Sequence, residues 1–221
     1  MISLPLRSVP AKPLVWVAVG LLACEILINA LLLKPHNDLP SRGTRVLPIP
    51  SIVQEPVVQL ELVRSEEDIH DILMIGDTGA NVKDARKGNQ IDSFLFIPVY
   101  SAELMVLALI VARGLAHRGS LLFYILVAAI CVIAISDWTE NAGIARTLNH
   151  IEQVHGPQPG DAARISRPSL VKWSLSAVIA LALGALAIVQ RPWGMRILGL
   201  GMLLIADAIS WQLILYFRQL G

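Results

Sequence analysis

Asp137, Glu140 and Asn141 stand at i, i+3 and i+4, a spacing that puts all three on one face of a helix. They follow an apolar run of 15 residues, Leu121 to Ile135. A helix needs about 20 apolar residues to cross a bilayer, so this one must carry part of the polar cluster into or just beneath the headgroups. Carboxylates at that depth are costly and are kept paired or functional. Asp92 opens the preceding apolar stretch and Lys172 the following one, and connectivity places both at the same side of the bilayer. Lys172 would neutralise one carboxylate in the low-dielectric rim, leaving Asp92, Asp137, Glu140 and Asn141 to hold a cation, a proton or a polar headgroup. The competing reading is a network of ion pairs and caps that only fixes helix ends.

A second group is Glu25, Glu103 and Asp207, each near the middle of its own apolar stretch with no Lys or Arg at the same depth. Three such helices packed together would line a proton or cation path. Otherwise the acids, with Asn29, Tyr100 and Ser210, are hydrogen-bonding glue between helices. Histidine offers less. No histidine lies within an apolar stretch, which argues against bis-histidine haem ligation. His150, Glu152 and His155 are close in sequence, but histidines five apart do not share a helix face, so a zinc site there is not expected. Asp77-Thr78-Gly79-Ala80 matches the active-site turn of retroviral-type aspartic proteases over four residues. The second aspartate and the further strands of such an enzyme have no counterpart, and a plain turn accounts for the sequence.

Composition says what must position these groups. Of 221 residues, 55% are hydrophobic and only 16% charged, where a soluble domain carries nearer a quarter. A net charge of +1 gives no basic field for nucleic acid. Cys24 and Cys131 both sit in apolar runs and read as small hydrophobes rather than a disulfide. Trp and Tyr lie mostly near the ends of the runs, as an interfacial belt requires.

The expected fold is an all-α integral membrane bundle of five transmembrane helices, with a small, partly extended polar segment at one face. Residues 1–13 form a basic tail carrying Arg7 and Lys12, and 14–33 are the first span. Leu21-Leu22-Ala23-Cys24 resembles a lipobox, but the apolar run continues nine residues past Cys24, which favours a retained helix. Residues 34–92 are the polar segment, extended at its prolines, with a short strand expected over 57–63. Ser65 followed by Glu66, Glu67 and Asp68 marks a helix start, with Ile69, Ile72 and Leu73 as its apolar stripe. This segment would bury only a thin core alone and is expected to lie on the membrane face of the bundle.

The remaining spans are placed at 93–112, 120–141, 172–190 and 197–217, within a four-helix region covering 93–221. Ile144, Leu148, Ile151 and Val154 extend the third as an amphipathic helix, and 156–168 reads as loop. Ala180, Gly184, Gly199 and Gly201 would let helices approach closely. The tail and the two short turns hold six Lys or Arg and no acid, a density that places them, and the N-terminus, in the cytoplasm, although raw counts favour the other side.

Asp92-Ser93-Phe94-Leu95-Phe96-Ile97-Pro98-Val99-Tyr100, then Asp137-Trp138-Thr139-Glu140-Asn141, then Lys172-Trp173, resemble a group of uncharacterised small polytopic bacterial membrane proteins. Those proteins open one span with Asp-Phe-Leu-Phe-Ile-Pro, close the next with Asp-x-x-Glu-Asn and begin the following one with Lys-Trp or Lys-Phe. The similarity extends over residues 60 to 190, with Ser93 intervening between Asp92 and Phe94. It implies a bacterial inner-membrane location and treats Asp92, Asp137, Glu140, Asn141 and Lys172 as one unit, while bringing no activity or cofactor with it. The leading expectation is a non-enzymatic binding or complex-assembly protein whose partners are the bilayer and a second membrane protein or another copy of the chain. The rivals are a proton- or cation-coupled transporter using Glu25, Glu103 and Asp207, and an intramembrane hydrolase using the rim carboxylates as acid and base.

Overall fold

The computed structural model describes residues 11–32, 56–74, 77–115, 119–190 and 193–218, and all of its regular structure is helical. Helix α1 is Ala11–Leu32, α2 Pro56–Glu61, α3 Glu66–Leu73 and α4 Thr78–Ile91. A π-helical segment, Asp92–Phe96, leads directly into α5, Ile97–Arg113; α6 is Gly119–Val154, α7 Asp161–Ile188 and α8 Trp193–Arg218. Four helices are long and apolar enough to cross a membrane: Thr78–Arg113, Gly119–Val154, Asp161–Ile188 and Trp193–Trp211. Most of the basic tail, the proline-rich stretch 34–55, and His117 and Arg118 of the basic turn lie outside the described residues, as do Arg191 and Pro192 of the second turn.

Three expectations change. Residues 57–63 are not a strand: Pro56 takes the first helical position, where its missing N–H costs nothing, and Leu60 and Val63, three apart, are both buried. Asp92 does not open a helix, because the chain is already helical from Thr78 and stays so for 36 residues. The loop expected over 156–168 ends early, since α7 starts at Asp161 and runs through Pro168. A proline leaves the carbonyl four residues before it without its helical N–H. Here that is Arg164, whose carbonyl oxygen would stand 3.0 Å from a Cβ at Gly143, so α6 and α7 touch backbone to backbone there.

The chain divides into two compact units. One comprises 1–25, 98–135 and 171–221. Its core joins Leu107, Ala108 and Val111 of α5, Leu126, Ile130 and Ile133 of α6, Ile179 and Leu183 of α7, and Met202 and Ala206 of α8. A Cβ on Gly199 would lie 2.7 Å from the Gly184 carbonyl oxygen, so α7 and α8 approach through small residues. Ala180 belongs to this core, whereas Gly201 faces open space. Val178, Leu181, Leu200 and Leu204 point outward, as lipid-facing side chains do. Cys24 and Cys131 are free and exposed, and α1 continues unbroken past Cys24.

The other unit comprises 26–97 and 136–170. Leu60, Val63, Ile69, Ile72, Leu73, Val82 and Ala85 close on Ile144, Leu148 and Ile151 of α6 and Ala162 and Ile165 of α7. The thin apolar stripe of the polar segment is thus completed by the ends of two long helices. Ser65 caps α3: its side chain accepts from the Asp68 N–H at 3.2 Å, and Asp68 Oδ2 accepts from the Ser65 N–H at 3.1 Å. Asp77, the aspartate of the protease-like tetrapeptide, caps α4 by accepting from the Ala80 N–H at 3.0 Å.

Candidate functional site

The buried face of α4 changes character along its length, from Val82 and Ala85 to Asn89 and Asp92. The buried face of α6 changes in the opposite sense, from Asp137, Glu140 and Asn141 to Ile144, Leu148 and Ile151. Arg86 contacts Asn149 and Glu152, whereas Asp92 and Ser93 contact Asn141 and Trp138. The two helices therefore run antiparallel, with polar facing polar and apolar facing apolar. This matching builds a polar cluster inside an otherwise apolar contact.

Its centre is the side-chain amide of Asn141. Nδ2 donates to Asp92 Oδ2 at 2.6 Å and lies 3.0 Å from Ser93 Oγ. Asn89 Nδ2 donates to the backbone carbonyl of Asn141 at 3.1 Å. Both amides are fixed in orientation by these bonds, since turning either over would press oxygen against oxygen. Their own carbonyl oxygens, Asn89 Oδ1 and Asn141 Oδ1, are buried and accept nothing among the described residues. Glu140 is fully buried and Asp137 is 3% exposed.

The π-helical segment explains why Ser93 takes part. The Ile97 N–H bonds to the Asp92 carbonyl, five residues back. The Ser93 carbonyl would need the N–H of residue 98 to continue that pattern, and residue 98 is proline. Trp138 supplies the missing donor, its Nε1–H reaching the Ser93 carbonyl at 3.0 Å while the ring stays about half exposed. An indole with a bonded N–H and an uncovered ring suits a membrane interface.

Lys172 falls in the other unit, buried, with Nζ 5.0 Å from the centre of the Trp173 ring. The acids do not gather on one point: among the described residues no group of three or more His, Cys, Asp or Glu is placed to hold a metal ion. The His150, Glu152 and His155 trio separates accordingly. His150 Nδ1 is 2.8 Å from Asp161 Oδ2, Glu152 pairs with Arg86 at 2.8 Å, and His155 ends α6 in a left-handed conformation at φ 59°.

Of the mid-span acids, the side chains of Glu25 and Glu103 are neighbours. Asp207 is exposed on α8, so the structure brings two of these three together.

Three contributors escape sequence reading. Asn89 lies three residues before Asp92 on the same helical face, a signal visible only if α4 is known to be helix. Ser93 enters through its hydroxyl and through a backbone carbonyl, the latter carrying no side-chain signature. Asp161 is fully buried and receives the Gln158 N–H at 2.8 Å and Arg164 at 3.1 Å in addition to His150. Its place at a helix start after Gly160 was the available hint. No family model, curated protein or solved structure matches the chain.

Proposed function

We propose that the chain is a five-span protein of a bacterial inner membrane, with α1 as the additional span, that binds the polar group of a lipid or membrane partner at the cluster around Asn141. Helix α1 is 22 residues interrupted by one acid and one asparagine, long enough to cross. The observation that carries the binding reading is the pair of buried amide oxygens, Asn89 Oδ1 and Asn141 Oδ1, without donors, beside Asp92. Buried polar atoms are nearly always satisfied, and an exception beside a charged group is what a ligand pocket leaves behind. The resemblance in the Asp92, Asp137–Asn141 and Lys172 segments supports the same location.

Native mass spectrometry of the detergent-purified protein tests this, with wild type beside Asp137→Asn and Glu140→Gln. A species retained by wild type and lost from both variants supports the reading. Identical, ligand-free spectra for three equally stable proteins would end it.

A second reading rests on the proximity of the Glu25 and Glu103 side chains. Two neighbouring carboxyls at mid-span are suited to proton-coupled transport. Proton flux into liposomes that survives Glu103→Leu unchanged would exclude it.

A further inference from the structure

Asp207 is an acid left uncovered deep within a membrane span. Its side chain is exposed, and among the described residues it makes no hydrogen bond or ion pair. Helix α8 runs 26 residues, about 39 Å, and Asp207 stands about 21 Å from Trp193 and about 16 Å from Arg218 along its axis. Wherever a hydrocarbon layer about 30 Å thick is set on that length, the carboxyl falls inside it, about 9 Å or more from either boundary. An ionisable group at such a depth is costly in lipid and is kept against a polar or charged partner.

The face around Asp207 is shaped to receive a helix. Ile197, Leu200, Leu204 and Trp211 are all more than half exposed. Gly194, Gly201 and Ala208, spaced by seven residues and also exposed, make a stripe of small residues beside them. A Cβ on Gly199, on the opposite side of α8, would run into Gly184 of α7, so that side is already occupied; Gly194 and Gly201 have nothing within 4 Å of such a Cβ. Charge decides between occupants. Two copies of this chain inserted alike hold every residue at the same depth, so a second copy offers Asp207 only what the chain carries at that level. Among the described residues of the unit that contains α8, Lys12, Arg113, Arg196 and Arg218 lie in the first or last turn of their helices, and Lys172 is buried. A second copy therefore brings no counter-charge.

We infer that the outer face of α8 docks a transmembrane helix of a different protein, one that carries a Lys or Arg within the hydrocarbon layer to pair with Asp207. The small residues let that helix approach closely, and the low dielectric of lipid strengthens the ion pair. This docking face does not rest on the role proposed for the Asn141 cluster.

The test uses the full chain in liposomes with a donor dye on its amino terminus, and designed single-span Leu–Ala helices carrying an acceptor dye. The helices differ only at the central position, which is Lys, Leu or Glu. Saturable energy transfer, competed away by unlabelled helix, is expected for the Lys helix at a peptide-to-lipid ratio about tenfold below any transfer to the Leu or Glu helix. Asp207→Leu and the isosteric Asp207→Asn, each checked by melting temperature, should both lose that preference, and one folded variant is enough to decide. Equal transfer to all three helices, or none that saturates, would overturn the inference, as would a Lys preference that survives in a folded variant. Transfer between differently labelled copies of the wild-type chain, lost in the same variants, would make a second copy the occupant and overturn it as well.

Discussion

The side-chain amide of Asn141 on α6 donates to the carboxylate of Asp92, in the π-helical segment after α4, at 2.6 Å, with both residues buried. That bond lies where the polar stretches of two antiparallel helices meet, and it fixes their register. Replacing Asn141 by Leu leaves the Asp92 oxygen and the Ser93 hydroxyl without this donor. Loss of a buried hydrogen bond to a charged group is worth about 1.5–3 kcal/mol. Thermal melts should show Asn141→Leu destabilised by that order, and Asn141→Gln partly so.

The contact between α6 and α7 at Gly143 should tolerate no side chain. A Cβ there would stand 3.0 Å from the Arg164 carbonyl oxygen and 3.2 Å from its carbon, both backbone atoms that cannot swing aside. Gly143→Ala is expected to cost about 1–3 kcal/mol, the range for overpacking a close contact. Gly156 and Gly194 have nothing within 4 Å of such a Cβ, so the same change there should leave the melting temperature nearly unmoved.

Asp161 collects His150 Nδ1, the Gln158 N–H and Arg164 while fully buried. Asp161→Ala strips an acceptor from all three and should destabilise by about 1.5–3 kcal/mol, the range for hydrogen bonds to a charged group. Limited proteolysis should then cut the α6–α7 turn faster than in wild type; an unchanged rate would show that the turn is held by other contacts.

Ser65→Ala removes one half of the reciprocal cap on α3 and should cost about 1 kcal/mol. Hydrogen exchange is the readout, with faster exchange expected at Asp68 and over the first turn of α3, and no change in α8.

Legibility in the sequence followed the range of the interactions. The cap at Ser65 and the apolar stripe of Ile69, Ile72 and Leu73 are local, and both are visible within the short stretch from Ser65 to Leu73. The face shared by Asp137, Glu140 and Asn141 is equally local. The strand expected at 57–63 failed because its β-branched valines read as extended, whereas burial of Leu60 and Val63 against α4 and α6 decides the conformation. Residues 156–168 read as loop from their Gly, Pro and Asp content, whereas α7 starts at Asp161 and continues through Pro168. The Trp138 contact to Ser93 was hidden because it involves the backbone. Ser93 joins through its carbonyl, freed by the combination of a π turn and Pro98, and no residue-type pattern reports a carbonyl.

The core formed by Leu60, Ile69, Leu73 and Val82 on one side and Ile144, Leu148 and Ile165 on the other joins stretches of chain separated by α5 and the apolar part of α6. During synthesis the first set leaves the ribosome well before the second, and both intervening apolar helices are made in the interval. Residues 60–85 therefore expose their apolar side chains until Ile165 has emerged. A chain arrested before α7 would lack the Ala162 and Ile165 side of that core and leave the stripe partly uncovered, a recognition mark for the machinery that removes unfinished proteins.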